Sequence, residues 1–164
     1  MIEDEFSNPD ARRIVDFLRA IGIEVVAESL PEGCFLPGIK VRDGILIVDP
    51  SRLDWPGDLL HEAGHIAVTA PDLRPALCEV DGDPGDEMAA IAWSWAAAKA
   101  IGLAPDVLFH EGGYRGASPA FIGNFSTGRY LGVPMLQYYQ MSVEPHRAEA
   151  AGLPPFPHML KWLR

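Results

Sequence analysis

The apolar and polar positions of the first fifty residues predict a helix followed by a small sheet. Over residues 9–21 the apolar positions recur at the three- and four-residue spacing of one helix face, with Asn8 as the N-cap and Gly22 after the last turn. Short β-branched runs follow at 23–27, 39–41 and 45–48. The dipeptide Asp43-Gly44, between the last two runs, is typical of a two-residue hairpin turn. We therefore expect an N-terminal helix and a short, mostly antiparallel sheet.

The rest of the chain has the apolar spacing of helices. One helix is predicted from about residues 54–58 to Thr69, ahead of Pro71, and a second, alanine-rich helix from about Asp86 to Ile101. Shorter helices are predicted at 105–109 and 133–141. The glycine-rich segment 110–132 has no assignment, and the proline-rich segment 144–164 is expected to be a surface tail. Strands followed by helices indicate an α+β fold class, with residues 1–164 as one domain.

Composition excludes several classes of protein. The chain has 13 Lys and Arg against 23 Asp and Glu, a formal net charge of −10, and lacks the basic stripe that binds nucleic acid or anionic lipid. The sequence has no run of 18 apolar residues, and its acidic start differs from the basic, then apolar start of a signal peptide. We expect a cytoplasmic protein that binds neither nucleic acid nor membranes, with Cys34 and Cys78 as buried free thiols.

One segment has the pattern of a metal site. The residues His61-Glu62-Ala63-Gly64-His65 form an H-E-x-x-H motif inside the first long predicted helix. Residues four apart lie on one face of a helix, so both imidazoles are directed at the same point, and neutral imidazole nitrogen is a preferred zinc ligand. Glu62, one position further round the helix, would stand beside the ion as a general base. It would take a proton from a metal-bound water, whose pKa Zn²⁺ lowers towards about 7.

A third ligand is expected from the alanine-rich helix. Glu87 lies 22 residues after His65, near the start of that helix, where a carboxylate is electrostatically favoured. Gly64 in the motif would let the two helices approach closely, because the alanine-rich helix offers the small residues Ala89, Ala90 and Ala97. Other candidate ligands are Glu79, His110, Asp72 and Asp86, the last interpreted as a helix cap. A metzincin site is excluded, because Val68 and Pro71 stand where that subclass has glycine and histidine.

Further candidates lie in the glycine-rich segment and in the first turn of the motif helix. A hydrogen-bond donor near the metal would stabilise the oxyanion that forms during peptide hydrolysis. The candidate donors are His110, Tyr114, Arg129 and Tyr130, although such residues are more commonly ordinary loop residues. Asp58, three residues before His61, is either a partner for a ligating histidine or a simple first-turn acid.

The order of these segments is similar to that of a known family. Small strands precede the H-E-x-x-H helix, and an acidic loop and a helix that opens Glu87-Met88-Ala89-Ala90-Ile91-Ala92-Trp93 follow it. Over about residues 40–110 this arrangement resembles the ImmA/IrrE family of zinc-dependent peptidases. The resemblance implies a zincin-like fold, one Zn²⁺ bound by His61, His65 and Glu87, and Glu62 as the general base. It also implies a protein or peptide substrate, such as a transcriptional repressor.

Two positions depart from that family. Before the motif the family usually has a basic stretch, and this chain has Asp54-Trp55-Pro56-Gly57-Asp58. The second helix often has Ala-Asn in the family, and this chain has Ala89-Ala90. The resemblance therefore supports the metal site more strongly than it supports a particular substrate.

Two functions fit these residues. The first is a zinc-dependent metallopeptidase of the gluzincin type, which hydrolyses peptide bonds with a metal-activated water and Glu62 as the general base. The alternative is a catalytically silent module that binds a metal on a zincin scaffold and acts in regulation or protein interaction. Mn²⁺ and Fe²⁺ suit the same donor set of two histidines and one glutamate, since metal availability also decides which ion is bound.

Overall fold

The computed structural model describes residues 5–78 and 83–164. Within these ranges the chain forms seven α-helices and one three-stranded sheet. The strands are β1 (Val25–Ala27), β2 (Ile39–Arg42) and β3 (Ile45–Val48). The helices are α1 (Pro9–Ala20), α2 (Asp58–Val68), α3 (Pro84–Ile101), α4 (Pro105–Leu108), α5 (Ser118–Ser126), α6 (Val133–Tyr138) and α7 (Pro145–Ala151). The predicted α+β fold class is confirmed.

The helix ends follow the sequence signals closely. Asn8 caps α1 through Oδ1, which accepts hydrogen bonds from the backbone N–H groups of Asp10 and Ala11 at 2.9 and 3.1 Å. Gly102 ends α3 in the left-handed conformation, with a φ of +69° that other residues rarely adopt. The segment 110–132, which had no assignment, contains α5 and a short 3₁₀ turn at Tyr114–Gly116.

The sheet has β3 at its centre, in the order β1-β3-β2. β1 runs parallel to β3, with Val25 opposite Leu46, while β2 pairs with β3 antiparallel. The Asp43-Gly44 turn joins β2 to β3 as predicted, with φ of +52° and +73° at its two residues. The sheet is therefore mixed rather than mostly antiparallel. β3 takes the central place because it is the most apolar strand, and a central strand is the one most shielded from water.

The two helices that carry the predicted metal ligands, α2 and α3, pack directly against each other. A Cβ atom on Gly64 of α2 would lie 2.8 Å from the carbonyl oxygen of Ala90 of α3, closer than real Cβ contacts allow. Glycine at this position therefore sets the separation of the helices, as the sequence indicated. Most of α3, from Ala89 to Ala98, is buried, which agrees with its apolar character on every face.

Segment 144–164 includes a helix and also joins the core, so it is more than a surface tail. Trp93 of α3 donates a hydrogen bond from Nε1 to the carbonyl of Trp162 at 2.9 Å, and the two indole rings meet edge to face. The backbone N–H of Arg164 donates to the carbonyl of Ala67 at 2.9 Å, at the end of α2. The proline-rich composition conceals these contacts, because the apolar residues that make them are too sparse to show a periodicity.

Two further expectations concern the cysteines and membranes. Cys34 and Cys78 are free thiols, but the prediction that they are buried is wrong. Cys34 is half-buried and Cys78 is exposed, because both lie in loops at the surface rather than on an apolar face. In the described ranges, every helix is too short or too polar to cross a membrane. The cytoplasmic location stays a prediction.

Candidate metal centre

Helix α2 brings the two histidines of the motif together as predicted. His61 and His65 lie one turn apart, and their Nε2 atoms are 3.1 Å from each other. Within the described residues, His61, Glu62 and His65 form a group that could hold a metal ion, with one ligand atom of each within 4.8 Å of the others. His65 is buried and the other two side chains are half-buried, so the group lies at the edge of the core.

Glu87, in the first turn of α3, bridges the two imidazoles. Its Oε1 lies 3.0 Å from His61 Nε2, and its Oε2 lies 2.9 Å from His65 Nε2. Ligand atoms that bind a tetrahedral Zn²⁺ at about 2.0–2.1 Å lie roughly 3.3 Å from one another, so these separations fit a small divalent ion. Two imidazole lone pairs at this distance repel unless a proton or a cation lies between them. The donor set therefore fits the predicted ion in both chemistry and spacing.

Hydrogen bonds and burial shift the pKa values of the cluster. Burial lowers the pKa of His61, but the hydrogen bond and the negative charge of Glu87 more than offset this, and the net shift is upward. Hydrogen bonds from His61 and His65 hold the pKa of Glu87 well below its usual range. Burial raises the pKa of Glu62, and the charges of the two histidines offset this only in part. The cluster thus favours positive charge between the two histidines, which a proton or a metal ion would supply.

Asp86 is not the cap of α3 that the sequence suggested. The N-cap is Asp83, whose Oδ1 accepts hydrogen bonds from the backbone N–H groups of Gly85 and Asp86 at 2.8 and 3.3 Å. Pro84 at the first helical position lets the helix begin two residues earlier than predicted. Asp86 instead accepts a hydrogen bond from the hydroxyl of Tyr139 at 2.7 Å, which ties α3 to the end of α6.

Tyr114 contacts a predicted ligand from the side opposite the other donors. Its hydroxyl lies 2.8 Å from Nδ1 of His61, so both ring nitrogens of that histidine have partners. The sequence predicts Tyr114 only as one of four candidate oxyanion donors. Nothing in the motif indicates that it contacts His61. Burial raises the pKa of Tyr114 well above its usual value, so its hydroxyl keeps its proton at neutral pH.

His110 is placed in a different contact from those predicted. Its Nε2 donates to Oδ1 of Asp58 at 2.6 Å, and its ring stacks on Trp55 with the centroids 4.4 Å apart. His110 therefore contacts Asp58 through Nε2, while its Nδ1 has no hydrogen-bond partner among the described residues, and its role as an alternative third ligand stays a prediction. Asp58 is likewise neither a simple first-turn acid nor a direct partner of a motif histidine.

The remaining candidates from the sequence lie apart from these contacts. Glu79 falls outside the described residues. Asp72 is exposed in the turn after α2, and Arg129 is exposed after α5. The ring of Tyr130 packs against Phe156, with centroids 4.8 Å apart.

Comparison of the chain with family models, curated proteins and solved structures finds no match. The resemblance to the ImmA/IrrE family thus stays a prediction from the motif and the order of segments. The geometry of the centre is the observation on which a function can be based. It combines two imidazole nitrogens, a bridging carboxylate and a second, half-buried carboxyl group next to them.

Proposed function

We propose that this protein is a zinc-dependent peptidase of the ImmA/IrrE type, in which His61, His65 and Glu87 hold one Zn²⁺. The observation that supports this most strongly is the position of Glu87, whose two carboxylate oxygens lie 3.0 and 2.9 Å from the two Nε2 atoms. Two imidazoles and one carboxylate are the ligands of a catalytic zinc site, which keeps its fourth position open. A structural zinc site would have four protein ligands.

The exposure of one side of the centre also favours a function in which a substrate binds there. The side chain of Glu87 is 39% exposed, whereas that of His65 is only 5% exposed. One side of the centre therefore faces solvent, where a peptide can approach, and the other side is closed by the core. Burial of the ligands on the core side reduces competition from water for the electrostatic interactions of the site.

In the proposed reaction, Glu62 carries out the proton transfers of peptide hydrolysis. When bound, Zn²⁺ supplies Lewis acidity that polarises a peptide carbonyl and lowers the pKa of a coordinated water to about 7. Glu62 accepts the proton of the attacking water as its oxygen bonds to the carbonyl carbon. The same carboxyl then gives that proton to the leaving amine as the carbon–nitrogen bond breaks. Burial raises the pKa of Glu62, which is the direction that favours a general acid–base group at neutral pH.

The first experiment measures bound metal and cleavage in the same preparations. Elemental analysis of the purified protein should find one zinc per chain. Mass spectrometry of new protein termini, after incubation with a cell extract, should find products that depend on the wild-type protein. Glu62→Gln should retain zinc and lose about 10²–10⁴-fold in cleavage rate, the usual contribution of a general acid–base group.

Glu149→Gln on α7 is the matched control, because Glu149 is exposed and far along the chain from the motif. It should retain both zinc and cleavage. A wild-type protein that binds no transition metal, even after Zn²⁺ is added, would overturn the proposal. Zinc binding without any cleavage product would instead favour the alternative, a silent metal-binding module.

A further inference from the structure

A series of contacts leads from the first turn of α2 back to the His61 imidazole through residues 110–114. It begins at Asp58, which is 6% exposed and accepts a hydrogen bond from Nε2 of His110 at 2.6 Å. His110 is itself only 4% exposed. A buried charge of this kind is costly unless it is paired, so the contact holds His110 firmly in place.

Close packing of glycines also holds this segment against Trp55, which precedes α2, and against the ring of His110. The ring of His110 stacks on Trp55 almost face to face, with 4° between the planes. A Cβ atom on Gly112 would lie 2.8 Å from the Trp55 ring, and one on Gly113 would lie 2.8 Å from Cε1 of His110. The backbone therefore lies directly on both rings, and only glycine permits that approach.

The next residue, Tyr114, is held in an unusual conformation. Tyr114 and Arg115 have φ values of +55° and +52°, which residues other than glycine rarely adopt. Such conformations persist only where the surroundings enforce them, and they occur preferentially at functional sites. The Tyr114 ring lies edge to face against Phe109 and Phe121, at centroid distances of 5.2 and 5.4 Å. These contacts direct its hydroxyl to Nδ1 of His61.

We propose that Asp58, His110 and Tyr114 form a positioning chain that holds the His61 imidazole with its Nε2 atom towards the metal ion. The inference rests on the proposed metal site. A hydroxyl group both donates and accepts hydrogen bonds. Tyr114 can accept from Nδ1–H when Nε2 binds an ion, and can donate to Nδ1 when Nε2 carries the proton. The His61 imidazole therefore keeps one orientation in the metal-free and the metal-loaded protein.

Removing the hydroxyl tests the last contact of the positioning chain. Partners that orient a ligating histidine typically contribute about 10–100-fold to metal affinity, so Tyr114→Phe should weaken Zn²⁺ binding by at least about tenfold. Competition with a chromophoric chelator measures this. Tyr138→Phe is the matched control, because Tyr138 is 78% exposed on α6, and it should bind Zn²⁺ as the wild type does. Equal affinity of Tyr114→Phe and wild type would overturn the inference.

Two substitutions of His110 test the earlier contact. His110→Gln places an amide N–H near the position of Nε2 and should keep most of the wild-type affinity for Zn²⁺. His110→Met removes the donor and should lower that affinity. If His110→Met does not fold, the Zn²⁺ affinity of Tyr114→Phe relative to wild type decides whether the positioning chain holds His61. Similar affinities for the folded Gln and Met variants would remove Asp58 and His110 from the positioning chain.

A separate measurement distinguishes positioning from a general loss of packing. Proton–nitrogen NMR correlations of the imidazole rings in the metal-free protein should show a changed tautomer balance or increased motion for His61 in Tyr114→Phe, with unchanged signals for His146. A merely structural role would lower the melting temperature and leave the His61 signals as they are. Failure of the wild type to bind Zn²⁺ would overturn the proposed function, whereas tight binding by every variant would overturn only the positioning chain.

Discussion

Among single residues, Glu87 connects α3 to both histidines of α2 through the two oxygens of its carboxylate. Its carboxylate is the only group of the centre that contacts both Nε2 atoms from a different helix, among the residues that the structure describes. Its position could be predicted because a carboxylate at a helix start and a glycine facing small residues are local signals. The contact of Tyr114 with His61 could not be predicted, because 53 residues separate the two and no local pattern relates them.

A prediction for Glu87 concerns stabilisation by metal. A ligand that binds only the folded state stabilises it by about 2.7 kcal/mol when its free concentration is 100 times the dissociation constant. Free Zn²⁺ at about 100 times its dissociation constant should therefore raise the free energy of unfolding of the wild type by about 2.7 kcal/mol. Glu87→Gln should lose most of the gain, since an amide oxygen carries no charge for the ion. Urea denaturation with and without Zn²⁺ measures the difference.

Glu149→Gln should keep the full gain in stability, because it removes the same charge from an exposed position on α7. A Glu87→Gln protein that Zn²⁺ stabilises as much as the wild type would show that Glu87 is not a ligand.

Among the elements, the α2–α3 pair determines the geometry of the centre. Apolar spacing, Pro84 and Gly102 made both helices predictable, and the ends differ from expectation by only a few residues. The mixed sheet was harder to predict, because the parallel pairing of β1 with β3 joins strands that are separated by β2 along the chain. Turn signals such as Asp43-Gly44 specify only the antiparallel hairpin.

The contact between the two helices gives a prediction at Gly64. In Gly64→Ala the new Cβ would lie 2.8 Å from the Ala90 carbonyl oxygen, so the helices must move apart. Overpacking of this kind costs about 1–3 kcal/mol. We expect that loss in the free energy of unfolding of the metal-free protein, measured with urea, together with weaker Zn²⁺ binding because Glu87 moves away from the histidines.

Gly123→Ala is the matched control, since Gly123 lies inside α5 and a Cβ there meets no atom within 4 Å. Alanine is favoured over glycine in a helix by about 1 kcal/mol, so this variant should be as stable as wild type or more stable. Equal stabilities of the Gly64→Ala and wild-type proteins would show that the helices have room to adjust.

Across the whole molecule, residues 144–164 connect parts of the fold that are far apart in sequence. Trp162 packs on both Phe17 of α1 and Trp93 of α3, with ring centroids 5.0 and 5.7 Å away. Arg164 contacts the end of α2 and lies over the ring of Tyr139, with its guanidinium carbon 3.8 Å from the ring centroid. The composition of this segment indicated only a surface position, because prolines dominate it and its contacts are long-range.

Trp162→Ala should therefore destabilise the entire domain. Full burial of a tryptophan is worth about 3–5 kcal/mol on truncation, and Trp162 is half-buried, so a loss of about 2–3 kcal/mol is expected. Urea denaturation followed by far-ultraviolet circular dichroism should show one transition at a lower midpoint. Leu160→Ala, at a 40% exposed position two residues earlier, should shift the midpoint much less. A separate early transition confined to a small part of the signal would contradict this role.

The lack of room for a Cβ atom between Gly64 and the backbone of Ala90 also has a consequence for ion size. Helices that already touch cannot draw closer, and they cannot separate without opening a gap in the core. The distances between the imidazole nitrogens and the carboxylate oxygens can therefore vary only over a narrow range. Ca²⁺ needs about six to eight oxygen ligands at about 2.3–2.6 Å, so two imidazoles and one carboxylate at these distances are a poor site for it. If the proposed site holds an ion, this helix spacing favours a small first-row divalent cation over Ca²⁺.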